Sequence, residues 1–495
     1  MDYGANGLSL GDQREAALSR TAQHVLHAWR EFDTARETES LPSESLRESL
    51  TRPLPSAGSD VLEVIDHAVE VLDSSLAQSR PRYFAFIGSS GLEAGALADL
   101  LAHSYDTNLA VDAGAATELE WQAVRWLAEF IGFPAQTGTF TSGGTISNIT
   151  ALASAREATI PGARERGLGG VRATLYCSSE AHYSITRAAE VLGIGSANVR
   201  AIAIDDQRRM RADVLREQLH RDLDEGYTPV AIVATTGTTL TGAVDPIDEL
   251  ADVAQEFGVW LHVDGAYGAP AAAVASQGFA FRGLERVDSV TVDCHKWMFV
   301  PKACSAVLVR DASALAKVFA HDEAYMPHAG GHYNAVDITL EYSRPFRALK
   351  LWMLFATHGA NAVRDAIERN CQQAQMLFDW IQDRPLFETL TSRPQLSIVP
   401  FRVVVDGCVD PDRHNDALCA TIQRDGRVYV SPATIDGHVW LRPCFTNFRT
   451  TADDVAALLD VAEELGAVCS ASRGPRRDRA HGRRGSLLHG RTRAP

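Results

Sequence analysis

The chain has 495 residues, with 63 acidic against 47 basic side chains and a formal charge of −16. A composition of 45% hydrophobic and 22% charged residues is that of a globular protein, not a disordered or fibrous one, and the acidity argues against nucleic acid or an anionic membrane as main partner. Only four of the basic residues are lysines (Lys296, Lys302, Lys317 and Lys350), so chemistry that needs a side-chain amine has four places to occur.

Residues 12–33 and 58–78 carry apolar side chains at helical spacing, including Ala17, Val25 and Leu26, then Val61, Val64, Ile65 and Leu72. A Pro/Ser/Glu-rich stretch at 38–57 separates them and reads as a loop. Two such helices lack the core to stand alone, so they are expected to pack on something else, a second subunit included. From 173 to 309 the pattern alternates. Short apolar runs at 173–177, 200–204, 229–234, 259–263, 288–292 and 305–309 are separated by helical patterns, one of them at 247–257 closed by Gly258. This predicts a mostly parallel sheet covered on both faces, with ligands at the carboxyl ends of its strands. Beyond about 350 the spacing predicts a helix over 347–380, strands near 396–405, 427–430 and 438–442, and a helix over 451–465 whose N-cap is Thr450 or Thr451. That is a smaller α+β domain.

Residues 471–495 hold eight arginines and one acid, Asp478, leaving a charge of −23 on residues 1–470. This Arg/Gly/Ser-rich tail has no periodicity and reads as a solvated, disordered segment, with a polyanion-binding arm as the competing reading. The eight cysteines form no CxxC pair, so neither a zinc site nor a disulfide scaffold is expected. No basic segment followed by an apolar run opens the chain, and no stretch of about 18 apolar residues could span a bilayer. A reduced, cytoplasmic protein is the expectation.

Four features lie at predicted strand ends or helix starts. Thr141 to Asn148 (TSGGTISN) puts glycines and hydroxyls at the start of a helix, which suits a phosphate and equally suits a plain turn. Asp264 directly follows an apolar strand, where a carboxylate can hold a ligand nitrogen protonated or simply cap a helix. Lys296, in Asp293-Cys294-His295-Lys296-Trp297, follows another strand; burial and cationic neighbours are expected to lower its pKa and make it the Schiff-base amine. His182, in Glu180-Ala181-His182, could stack on an aromatic cofactor and shuttle protons, or pack a helix. Together these are the parts required by pyridoxal phosphate.

At this point the sequence resembles the group II pyridoxal-phosphate-dependent amino-acid decarboxylases, the family of aromatic-L-amino-acid and glutamate decarboxylases. The resemblance runs over about 80–465. It rests on Arg80 to Phe84, Thr141 to Asn148, Glu180 to His182, Ala234 to Thr239, His262 to Tyr267, His295-Lys296-Trp297, Ser343 to Trp352 and Asn447 to Thr451, in that order. It implies an α/β, aspartate-aminotransferase-like fold (fold type I), assembled as a homodimer, with pyridoxal 5′-phosphate as cofactor and no metal. The domains it implies are 1–88, helical and packing the dimer; 89–352, holding the cofactor; 353–470, small; and 471–495, the basic tail. In the implied site Lys296 holds the cofactor, Asp264 pairs with its ring nitrogen and His182 stacks on the ring. Ser142, Gly143, Gly144 and Thr145, with His295, surround the phosphate, Thr239 and Ala266 contact the ring region, and Tyr83, Phe84 and Phe86 shape the substrate pocket. Tyr333, in a segment with Gly330 and Gly331, is the candidate proton donor, with Tyr325 and Tyr342 nearby. Asp293 stands where the family often has asparagine and is given no phosphate contact. The implied reaction is decarboxylation of an L-amino acid to its amine, aromatic substrates being favoured by the apolar Tyr83 to Phe86 stretch. An acidic substrate, or an oxidative outcome giving an aldehyde, is the alternative. No cationic partner for an acidic substrate stands out in the sequence.

Overall fold

Seven strands form the larger sheet: β1 (Thr137–Thr141), β2 (Ala173–Ser178), β3 (Val199–Ile202), β4 (Thr228–Thr235), β5 (Trp260–Asp264), β6 (Ser289–Val292) and β7 (Ser305–Val309). The computed structural model describes residues 8–35, 42–76, 78–321, 334–390 and 393–468. The strand order is β1-β7-β6-β5-β4-β2-β3. The β6-β5-β4-β2-β3 run is parallel, and β7 lies antiparallel to both β6 and β1.

The continuous apolar runs have a direct cause. In β4, Ile232 and Ala234 pack into one core with the helices Ala115–Ile131, Ala212–Asp224 and Ile247–Phe257. The alternate residues Ala231 and Val233 pack into a second core with the helices Gly144–Thr159 and Ser184–Val191. A strand covered on both faces has no polar side to alternate with. The helix Ile247–Phe257 ends at Gly258, which takes φ 65°, a left-handed conformation that glycine adopts without the Cβ penalty.

The predicted strands of this sheet match the observed ones to within two residues at either end, but β1 is absent from the sequence reading. Its sequence, TGTFT, carries one large apolar side chain, and its burial comes from its place at the sheet edge under Val307 and Leu308.

The smaller sheet is antiparallel, in the order β10-β11-β9-β8: β8 (Phe387–Thr389), β9 (Phe401–Val403), β10 (Ser431–Ile435) and β11 (His438–Arg442). The strand expected at 427–430 therefore lies at 431–435, and β8 is additional. The long helix Ala348–Gln382 leads into this unit and is broken at Gly359. It spans the 352/353 boundary expected from sequence. The last helix, Ala452–Gly466, starts at Thr451 in a capping box with Asp454, which joins two otherwise unpaired donors to side-chain oxygens.

At the N-terminus the helices Arg14–Phe32 and Val61–Asp73 are present, and Ser43 caps a short helix, Glu44–Ser49, inside the stretch read as loop. Only Ala17 of the first helix is buried, none of the second is, and Leu18, Leu26, Val64 and Leu72 are exposed. Six cysteines are buried and free, whereas Cys408, in a surface turn outside the core, is disulfide-bonded. This departs from the expectation of a fully reduced chain. Among the described residues no helix is long and apolar enough to cross a membrane, and no metal-binding cluster is found. Tyr333, Tyr325 and the tail 471–495 lie outside the described residues.

Candidate active site

Parallel strands bring their carboxyl ends to one edge, and the candidate residues meet there. Thr235, Asp264 and Thr291 are in register on adjacent strands. Asp293 and Lys296 follow β6, His182 follows β2, and Gly144 and Thr145 follow β1. One cavity is lined by Gly144, Thr145, Asn148, His182, Asp264, Asp293 and Lys296, with Ser184, Thr235, Gly237, Thr239, Ala266 and Tyr267 completing it.

Lys296 is the lysine that reaches this cavity. Lys302 donates to Gln78 Oε1 (2.8 Å), Lys317 lies beside Asp311 on the surface, and the buried Lys350 pairs with Asp99 (3.1 Å). Lys296 Nζ lies 2.9 Å from Asp293 Oδ2. Burial pulls its ammonium pKa down, but the charge and hydrogen bond of Asp293, helped by Asp264, more than offset this and hold it above the usual lysine value. The expectation of a lowered pKa is thus overturned in the cofactor-free chain. Asp293, the departure from the family pattern, is the cause.

Asp264 is buried at the end of β5. Its Oδ2 accepts from Asn148 Nδ2 (3.0 Å) and its Oδ1 from the Ala266 backbone N–H (3.2 Å). Asn148 Nδ2 also donates to Ser184 Oγ (2.9 Å), which lies 2.9 Å from His182 Nδ1. Burial lowers the pKa of His182, Lys296 lowers it further, and Asp264 and Asp293 oppose without reversing the shift. The imidazole is therefore neutral near pH 7. Neither Asn148 nor Ser184 was given a role by the sequence. The available signal was spacing: Asn148 lies four residues after Gly144, one helical turn into the cavity wall.

Gly143 is the N-cap of the helix Gly144–Thr159 and no side chain caps it, so the first turn offers backbone N–H groups and the positive end of the helix dipole to the cavity. A Cβ on Gly144 would come within 2.9 Å of Asp293 Oδ2 and 3.1 Å of Ala266 Cβ, so only glycine leaves this floor open. Gly144, Thr145, Thr239 and Ala266 line the cavity, while Ser142, Gly143 and His295 are not among the residues that line it. His295 is buried, with Nδ1 against the Cys304 backbone (2.9 Å to the carbonyl oxygen).

The residues expected to shape a substrate pocket divide differently. Phe84 is 1% exposed in the core of the small domain, edge-on to Phe445; its role is packing, because the 82–86 segment runs along Tyr429 and Cys444 as an added strand. Tyr83 is buried and stacked on Tyr429 at 5.3 Å. Phe86 alone of the three is exposed (59%), and it takes φ 55°. Its carbonyl accepts from Arg442 Nη1 (2.8 Å). Arg442, at the end of β11, is 4% exposed, and its Nε and Nη2 have no partner among the described residues. Burial lowers the pKa of its guanidinium, with Cys444 and the cavity residue Tyr267 opposing. The sequence reading missed it, although an arginine closing an apolar strand (HVWLR) was the available signal.

The donor set fits pyridoxal phosphate. One amine, the buried carboxylates of Asp264 and Asp293 and an uncapped helix N-terminus face a single cavity, and the buried Thr235 Oγ1 and Asp293 Oδ1 on its wall lack partners among the described residues. The model of the pyridoxal-dependent decarboxylase conserved domain matches residues 43–404. The chain is 33% identical over 433 residues to aromatic-L-amino-acid decarboxylase of Bacillus atrophaeus, covering 85% of this chain and 89% of that one. It is 32% identical over 367 residues to cysteine sulfinic acid decarboxylase of Rattus norvegicus, covering 72% and 74%. The fold is shared with the crystal structure of Oryza sativa TDC with PLP and tryptamine, at a TM-score of 0.86, 24% identity and coverage of 94% and 99%. With lysine, carboxylate and phosphate cradle in one fold type I cavity, and a family match over most of its length, the chain belongs to the pyridoxal-dependent decarboxylases and is a pyridoxal-phosphate-dependent amino-acid carboxy-lyase.

Proposed function

We propose that the protein decarboxylates an aromatic L-amino acid to the corresponding amine. The convergence of Lys296 and Asp264 on one cavity carries the chemistry. The bound cofactor supplies an electron sink for the pair left on Cα when carbon dioxide departs. Lys296 Nζ would hold it, once proton transfer frees the amine from its pairing with Asp293. Asp264 would keep a proton on the ring nitrogen, with Asn148 and the Ala266 N–H holding the carboxylate in place. His182 would lie against the ring, and the Gly144 and Thr145 N–H groups, with Ser142, Gly143 and His295, would take the phosphate. Thr239 and Ala266 would bound the ring. Tyr333 is proposed as the donor that returns a proton to Cα.

The substrate choice is supported by the relative named for aromatic amino acids and by Phe86, an exposed ring whose backbone carbonyl accepts from Arg442. The guanidinium of Arg442 is buried with Nε and Nη2 unpartnered among the described residues, and an anion would offset the cost of burying that charge. It suits the carboxylate common to all amino acids. A second reading, an acidic substrate, is favoured by the same arginine if it takes a side-chain carboxylate, and by the relative that acts on cysteine sulfinic acid. Product analysis over a panel of L-tryptophan, L-tyrosine, L-phenylalanine, L-glutamate and cysteine sulfinate separates the readings. Release of an aldehyde and peroxide in place of an amine would overturn the amine assignment.

The exposed apolar residues of the two N-terminal helices support a homodimer, measurable by light scattering. Six free, buried thiols support a cytoplasmic location and the disulfide at Cys408 opposes it; subcellular fractionation decides.

A further inference from the structure

Behind the cavity wall runs a chain of buried hydrogen bonds whose proton directions follow from one group. Trp260 Nε1 lies 2.9 Å from Ser289 Oγ, which lies 2.9 Å from His262 Nδ1. His262 Nε2 lies 3.0 Å from Asn148 Oδ1. From Asn148 the chain forks to Asp264 and, through Ser184, to His182. The Asp264 carboxylate can only accept, so Asn148 donates to it through Nδ2 and turns its Oδ1 to His262 Nε2, which must donate; the neutral ring then accepts at Nδ1 from the Ser289 hydroxyl, which in turn accepts from the Trp260 indole N–H. His262 is wholly buried and neutral, so its one proton sits on Nε2 and goes to Asn148 Oδ1. The amide has both N–H groups turned outward, one to Asp264 Oδ2 and one to Ser184 Oγ, and a proton on His262 Nε2 matches that orientation. Ser184 in turn gives its proton to His182 Nδ1, which also receives the Ser184 backbone N–H at 3.3 Å.

We infer that Trp260, Ser289 and His262, none of which lines the cavity, are positioning residues that fix the proton pattern of the cofactor site: Asn148 can only donate to Asp264, and His182 carries its proton on Nε2. A reversed Asn148 amide would set its oxygen against the Asp264 carboxylate and weaken the hold on a protonated ring nitrogen. The inference rests on the roles proposed for Asp264 and His182, but the imidazole readout below needs no turnover, so a wrong substrate leaves it untouched and failure to take up the cofactor is seen separately as missing colour.

The test uses full-length protein labelled with 15N-histidine and loaded with pyridoxal phosphate, the two imidazoles being assigned from H182Q and H262Q. Long-range proton–nitrogen correlations in the wild type are expected to show both rings protonated on Nε2. Ser289→Ala is expected to mix the His262 tautomers and raise the cofactor dissociation constant about tenfold, the scale of one net hydrogen bond. Ser289→Thr, which keeps the hydroxyl, restores both. His262→Gln retains an N–H towards Asn148 and keeps the His182 tautomer, whereas His262→Met loses it. Trp260→Phe, which removes only the donor, serves if Ser289→Ala does not fold. A wild-type His182 protonated on Nδ1, or an altered chain that leaves both tautomers and the dissociation constant unchanged, overturns the inference.

Discussion

Arg344 and Glu120 form an ion pair with almost no solvent access, each 3% exposed. Arg344 Nη2 donates to Glu120 Oε1 (2.7 Å) and Leu109 O (3.2 Å), and Nη1 donates to Thr139 Oγ1 (3.2 Å) and Phe140 O (3.3 Å). The guanidinium thus ties the 343–352 segment to β1, the strand that leads into the Gly143–Gly144 turn at the cavity. Arg344→Met leaves a buried carboxylate and three further acceptors without this donor, a loss of about 3–5 kcal/mol for breaking such a pair. The loss depends on pH. Burial already raises the Glu120 pKa, and Arg344 is the main opposing influence. Without Arg344 the folded-state pKa rises further above the unfolded value of about 4.3. A carboxyl raised on folding favours the fold below its unfolded pKa, and that contribution disappears as pH rises through the folded pKa. The deficit of Arg344→Met should therefore be several kcal/mol at pH 8 and shrink markedly by pH 5. The paired change Arg344→Met/Glu120→Leu should recover much of the loss at pH 8. Urea denaturation of wild type and variants at both pH values measures this. A deficit that is equal at both pH values, or below about 1 kcal/mol, would refute the reasoning.

Burial holds the His262 pKa down at about 4, against the opposition of Asp264 and Ser289. Because its unfolded value is about 6.5, the neutral ring contributes stability above pH 6.5 that is lost as pH falls towards 4, on the order of 3 kcal/mol in full. The stability of His262→Gln should be flatter by that amount across the same window in denaturation curves. Asp293→Asn should lower the Lys296 pKa, so the rate at which cofactor-free protein takes up pyridoxal phosphate should shift to lower pH; an unchanged uptake profile would remove Asp293 as the controlling group. Phe84→Ala should cost about 3–5 kcal/mol through the cavity left in the small-domain core. Phe86→Ala should leave thermal stability nearly unchanged and raise KM for an aromatic substrate, and the opposite pattern would reverse the two roles.

Periodicity and punctuation in the sequence determine the alternation of strands and helices, the Gly258 stop, and the placement of Asp264, Lys296 and His182 just beyond strands. These are local properties: a strand covered on both faces must be apolar throughout, and a residue after its carboxyl end must lie at the ligand edge. Strand β1 escaped because five residues with threonine on one face and Gly138 and Phe140 on the other carry no local signal; its burial is supplied by β7, more than 160 residues away. The same holds for the roles that depend on which groups meet. Phe84 and Phe86 are two residues apart and equally apolar, yet one is core and the other a rim, because the 82–86 segment pairs with Tyr429 and Cys444 and turns sharply at Phe86. Sequence context already picks Lys296 from the four lysines, but its pKa is raised and not lowered because the fold sets Asp293 Oδ2 2.9 Å from its Nζ. Sequence spacing names the reactive groups, but their protonation is decided by distance and burial, which the folded chain alone supplies.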